Sequence, residues 1–252
     1  SKAACKLLLK PLFKLNLRLE ILYSQEKTLY TMSKALLAST STLHGEEYLE
    51  YLIPELKTFF SEAEEVIFIP FARPGGISHD EYTQKAAEAF KKAGIKLRGI
   101  HEFNNMTETI TEAKGIFTGG GNTFLLVSEL YRHKLMQPLK ESVLNGAAYM
   151  GTSAGTNIAG LTMQTTNDMP IVYPPSFKTL GIVPFNINPH YLDPDTNSTH
   201  KGETRETRIK EFHTINTQPV VGLREGSWLL VSDNKIELKG KLSARIFKTE
   251  KL

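Results

Sequence analysis

The chain has 252 residues, 40% hydrophobic and 23% charged, with a formal net charge of +3 and one cysteine. That length suffices for a full core, and the lone thiol, Cys5, excludes both an internal disulfide and a cysteine-ligated zinc cluster. No uncharged apolar run approaches the roughly 20 residues of a membrane span, so composition predicts a soluble protein of a reducing compartment, the cytoplasm.

Residues 1–31 differ in character from the rest of the chain. They are Leu-rich and carry six lysines and arginines against Glu20 and Glu26, a net +4 that leaves −1 for the remainder. A near-neutral body offers no basic face for phosphate neutralisation, which argues against a nucleic-acid partner. Cations at every fourth position from Lys2 to Arg18 would put a drifting basic stripe on an amphipathic helix, as in a transit peptide or surface anchor, but Pro11 interrupts it. We read 1–31 as a basic extension outside the fold and 32–252 as a single domain.

From Ser33 onward, short apolar runs alternate with amphipathic stretches, the pattern of an α/β fold with a mostly parallel sheet flanked by helices. Strands are expected over 35–39, 66–70, 96–100, 115–118 and 147–151, and helices over 46–60, 81–93, 123–133 and 138–144, with Asp80 and Asn122 as N-caps. Near the end, apolar runs over 220–223, 227–231, 235–238 and 244–247 are separated by Glu-Gly, Asp-Asn and Lys-Gly turns. These predict antiparallel C-terminal hairpins that close the sheet.

The most specific local signal is Gly151-Thr152-Ser153-Ala154-Gly155, between a predicted strand and a predicted helix. A sharp turn there lifts the Ser153 hydroxyl clear of the sheet, the geometry of a nucleophile elbow. A second loop, Gly119-Gly120-Gly121-Asn122-Thr123, has the same strand-to-helix setting. It is no dinucleotide fingerprint, because Phe124 replaces the third glycine, and no P-loop, because no Gly-Lys-Ser/Thr follows. An oxyanion hole fits it better, with amides from Gly121 and Ala154 meeting the developing charge. No H-E-x-x-H occurs, and nothing calls for a metal or cofactor.

Of seven histidines, His190 is best placed as a base, after the run Ile182, Val183, Phe185 and just past an expected strand end. An α/β-hydrolase esterase would instead follow the order Ser153, Asp193, His213. A ligand-binding domain that keeps the elbow only as a turn is a non-enzymatic alternative.

The ordered set of Gly119–Phe124, Gly151–Gly155, Thr165-Thr166-Asn167-Asp168-Met169-Pro170, Asn188-Pro189-His190 and Lys201-Gly202-Glu203-Thr204-Arg205 resembles the peptidase E family of serine peptidases, relatives of cyanophycinase. The likeness runs from about residue 32 to the end. It implies a glutamine amidotransferase-like fold and hydrolysis of small peptides, dipeptides with an N-terminal aspartate. It implies Ser153 as nucleophile, His190 as base and Glu225, in Gly222-Leu223-Arg224-Glu225-Gly226-Ser227-Trp228, as the carboxylate that orients it. Arg205 would hold the substrate's aspartate side chain, with Asn122 also at the substrate. Asp168 is not the triad acid; the resemblance puts it beside the substrate, where it would receive the free amino group.

Overall fold

Apolar runs too short for a helix settle as strands, and their alternation with longer amphipathic stretches builds a sheet covered on both faces. The computed structural model describes residues 33–195, 202–232 and 235–249, so the 1–31 extension lies outside the described residues. In chain order the elements are β1 (Lys34–Ala38), a 3-10 turn (Glu50–Leu52) entering α1 (Ile53–Phe59), β2 (Glu65–Ile69), α2 (His79–Lys92), β3 (Lys96–Gly99), α3 (Met106–Glu112), β4 (Gly115–Thr118), α4 (Thr123–Arg132) and α5 (Met136–Leu144). There follow β5 (Ala148–Thr152), α6 (Ala154–Asn157), β6 (Asn186–Pro189), α7 (Arg205–Ile215), β7 (Val220–Leu223), β8 (Ser227–Ser232), β9 (Lys235–Gly240) and β10 (Arg245–Phe247).

Among the described residues the main sheet has seven strands in the order β3-β2-β4-β5-β1-β8-β9. The first five are parallel, and β8 and β9 add antiparallel at one edge. Alternation along the strands divides the interior. Ala35, Leu37, Ile67, Ile69 and Ile116 enter one apolar core, while Leu36, Ala38, Val66, Phe68 and Phe117 enter the other. With both faces buried, these strands need no polar positions, which is why they read as continuous apolar runs. No helix among the described residues is long and apolar enough to cross a membrane.

The C-terminal expectation needs correction. β8 and β9 do form a hairpin on the main sheet, but β7 and β10 leave it. β10 pairs antiparallel with β7, and β7 pairs parallel with β6, in a separate three-stranded sheet. The Glu-Gly turn between β7 and β8 therefore crosses between sheets, although its turn chemistry is that of a hairpin. β6 escapes apolar periodicity because two of its four residues are asparagines.

Asn122 does cap α4, its Oδ1 accepting the Leu125 N–H. The cap of α2 is Ser78 rather than Asp80: the Ser78 hydroxyl accepts the Glu81 N–H, the Glu81 carboxylate accepts the Ser78 N–H, and Asp80 falls in the first turn.

Candidate active site

Parallel pairing sets Thr152 beside Ala38 and Gly151 beside Thr118. Ser153 thus leaves the middle of the sheet at the carboxyl ends of its strands, where sites in such folds collect. Its backbone has φ 52° and ψ −110°, a left-handed φ that residues with a β-carbon disfavour. The glycines on either side make the turn possible. A β-carbon on Gly151 would lie 2.5 Å from Gly155, and one on Gly155 would lie 2.2 Å from the Thr118 carbonyl oxygen. The turn is pinned from β1: the Ala38 carbonyl accepts the Ser153 N–H at 3.2 Å and lies 2.7 Å from the Thr156 hydroxyl. The helix that follows, α6, spans only four residues, so its dipole is that of a single turn.

His190 and Glu225 come from the smaller sheet. β6 and β7 run parallel with Pro189 opposite Leu223, so the residues just past both strands emerge at one edge. His190 Nδ1 lies 2.6 Å from Glu225 Oε1, and His190 Nε2 lies 2.9 Å from Ser153 Oγ. An ionised carboxylate only accepts, so it holds the ring proton on Nδ1 and leaves the Nε2 lone pair to accept from the serine hydroxyl. Three loops from two sheets thus meet in one hydrogen-bonded series.

The esterase set is not assembled. Asp193 is bound by Arg224 through two hydrogen bonds of 2.7 Å each, and these hold its carboxyl below the usual carboxylate range. His213 Nδ1 lies 3.3 Å from the Asn216 carbonyl and 3.3 Å from the Thr249 hydroxyl. His200 and Lys201 lie outside the described residues.

The glycine loop packs against the elbow. Gly121 has φ 147°, and a β-carbon there would lie 2.2 Å from the Ala72 carbonyl oxygen. The Tyr82 hydroxyl donates to the Gly120 carbonyl at 3.1 Å and steadies the loop from below. Among the described residues, neither the Gly121 nor the Ala154 N–H has an internal acceptor, which leaves both free to meet a developing oxyanion.

The Asn122 amide is engaged inside the protein at both ends, since Nδ2 donates to the Met169 carbonyl at 2.8 Å while Oδ1 caps α4. Asp168 Oδ2 accepts the Thr123 N–H at 2.7 Å and the Thr166 hydroxyl at 3.0 Å, anchoring the first turn of α4. The 165–170 block is therefore a tether. Its Asn167 donates to the Pro189 carbonyl at 2.7 Å and accepts from Asn188 at 2.8 Å, which links it to the strand that carries His190.

Arg205 is the first residue of α7. Its acidic neighbours are taken: Glu203 pairs with Arg208, and Glu206 with Lys210 and Arg245. Arg205 itself has no ion pair among the described residues. Burial, followed by the field of Arg208, lowers its pKa, while Asp168 opposes the change. It borders an open cavity of about 430 Å³ shared with Leu192, Asp193, Thr204 and Arg208. A half-buried cation at the positive end of a helix is unfavourable until an anion joins it. Sequence reasoning missed Ser39, Tyr82 and Asn167 as supports of the site; each acts on distant backbone, and no local pattern marks such a contact.

Residues 35–239 match the model of peptidase family S51. Peptidase E of Streptomyces coelicolor is 51% identical over 213 residues, covering 84% of this chain and 86% of the relative. A protein of Drosophila melanogaster named "Probable alpha-aspartyl dipeptidase" is 46% identical over 218 residues, covering 85% and 90%. The crystal structure of a peptidase from an acI-B1 actinobacterium shares the fold, with a TM-score of 0.63 at 16% identity, covering 88% of this chain and 97% of that one. An elbow serine, a histidine and a carboxylate in hydrogen-bonded series, in a chain matched over most of its length, lead to one conclusion: the chain belongs to peptidase family S51, a family of serine peptidases.

Proposed function

We propose that this protein is a dipeptidase that releases N-terminal aspartate from Asp-X dipeptides through an acyl-enzyme on Ser153. The observation that carries the reading is the unbroken series from Ser153 Oγ through His190 to Glu225. The name of the Drosophila relative supports the substrate class. In this mechanism Ser153 Oγ attacks the carbonyl after the aspartyl residue and His190 Nε2 takes its proton. Glu225 stabilises the imidazolium, and the Gly121 and Ala154 amides receive the oxyanion. The same proton then goes to the leaving amine, and a water activated by His190 frees aspartate and restores Ser153. Arg205 receives the β-carboxylate of the substrate through a charge-assisted fork. Asp168, whose charge opposes that of Arg205, faces the substrate's amino group.

We take residues 32–252 as the catalytic unit, a reading supported by the span of the family match and by β1 beginning at Lys34. A reducing compartment such as the cytoplasm suits a chain with one cysteine. The test is leucine release from Asp-Leu, Glu-Leu and Asn-Leu by the wild type and by Ser153→Ala. The expected result is rapid release from Asp-Leu alone and no turnover by the variant; equal hydrolysis of all three, or an active Ser153→Ala, would refute the proposal.

A further inference from the structure

We propose that Ser39 is a positioning residue for this relay, with its buried hydroxyl setting where His190 stands relative to Ser153 and Glu225. The proposal rests on the Ser153–His190–Glu225 reading. Ser39 is fully buried one residue past β1, a strand flanked by β5, which carries the nucleophile, and by β8. Its hydroxyl donates to the Leu223 carbonyl at 2.7 Å and accepts the His190 N–H at 2.9 Å. Its own N–H donates to the Ser227 carbonyl at 3.1 Å, and the Ala38 carbonyl just before it accepts the Ser153 N–H at 3.2 Å. Leu223 and Ser227 bracket Glu225. One residue and the peptide unit preceding it therefore grip the chain at the nucleophile, at the base and on both sides of the carboxylate.

The chemistry of that junction calls for a hydroxyl. His190 offers an amide donor and Leu223 a carbonyl acceptor, and a hydroxyl satisfies both at once where a methyl satisfies neither and a thiol does so weakly. The base has particular need of the support. His190 has φ 53°, a conformation that contacts must impose on a residue with a β-carbon. The bond from its own N–H to Ser39 acts directly on that backbone. Without it the ring would move relative to Ser153 and Glu225, and displacements of about 1 Å in a reacting constellation can cost ~100-fold in rate. Arg205 and Asp168 sit on other segments, so substrate affinity should be little affected.

The experiment compares wild type, Ser39→Ala and Ser39→Thr for kcat and KM on Asp-Leu, for the rate at which a fluorophosphonate phosphonylates Ser153 with loss of fluoride, and for Tm. Ser39→Ala is expected to lower kcat by roughly 10- to 100-fold with KM changed less than about threefold, and to slow phosphonylation by the same factor. Ser39→Thr, which keeps the hydroxyl, should recover most of both rates. Ile67→Ala serves as the control for stability alone, since it hollows the core under β2 and should lower Tm while leaving kcat unchanged. If Ser39→Ala behaves like Ile67→Ala, losing Tm but neither rate, the proposal is overturned. Should Ser39→Ala yield no folded protein, Ser39→Cys decides on the same two rates: a parallel loss supports the proposal, and unchanged rates overturn it. Ser153→Ala is run alongside. Turnover by that variant would sink the relay itself, whereas an inert Ser153→Ala beside a normal Ser39→Ala removes only the role of Ser39.

Discussion

A guanidinium at the amino end of a helix works against its own surroundings, and Arg205 is held there without an ion pair among the described residues. Arg205→Ala should therefore divide stability from function. Relief of the unfavourable charge at the start of α7 should stabilise the protein by ~0.3–1 kcal/mol, raising Tm by about 1–4 °C. On the proposed binding mode the same change removes the partner of the substrate carboxylate, which typically costs about 2–5 kcal/mol, or ~30- to ~5,000-fold in kcat/KM for Asp-Leu. The preference for Asp-Leu over Asn-Leu should shrink together with that loss. Thermal melts and steady-state kinetics on the two dipeptides check both halves; a variant that keeps its Asp-over-Asn preference would show that another group recognises the side chain. Part of this was legible in the sequence. Ser153 could be read because the constraint that isolates it is local, two glycines that nothing larger can replace. Glu225 could not be read from its own surroundings, since a Glu-Gly turn looks the same whether it faces water or a histidine. Only the ordered set of motifs singled it out.

At the scale of elements, Asp193 and Arg224 join the segment after β6 to the turn after β7, and Arg224 also reaches the Ser243 carbonyl. The Arg224 bonds depress the folded-state pKa of Asp193. A carboxyl of that kind contributes stability above its unfolded pKa, about 3.9, and loses the contribution as pH falls below that value through the folded one. Asp193→Asn should thus flatten the decline of Tm below about pH 4 while lowering Tm at neutral pH; an unchanged slope in melts taken from pH 3 to pH 7 would assign the acid sensitivity to other groups. The capping box of α2 supports a second expectation, that Ser78→Ala costs ~1 kcal/mol, or roughly 2–4 °C in Tm, with kcat unaltered. Strands β1, β2, β4 and β5 were readable because burial on both faces confines their polar residues, Lys34, Glu65, Thr118 and Thr152, to strand ends. α7 was not, because Ile209 is its one buried residue and a helix with so little apolar surface gives no period to detect.

At the scale of the molecule, Ser153 follows a strand of the seven-stranded sheet, His190 follows one of the three-stranded sheet, and Glu225 stands in the turn that joins the two. The two are nevertheless one folding unit, since Ile187, Val221 and Leu223 share an apolar cluster with Ala35, Leu37 and Ile69. Activity and far-UV circular dichroism should accordingly vanish at the same denaturant concentration, as one cooperative transition; activity lost first would show that the smaller sheet undocks by itself. The parallel architecture was evident from the chain, but the division into two sheets was not, because β7 and β8 are equally apolar and only their long-range partners differ. Chain order also imposes a sequence on biosynthesis. A ribosome completes the elbow serine well before the histidine and the glutamate, so a nascent chain displays the nucleophile with nothing to deprotonate it. On the proposed relay the growing chain is thus without its base until synthesis has passed His190, and without its orienting carboxylate until it has passed Glu225.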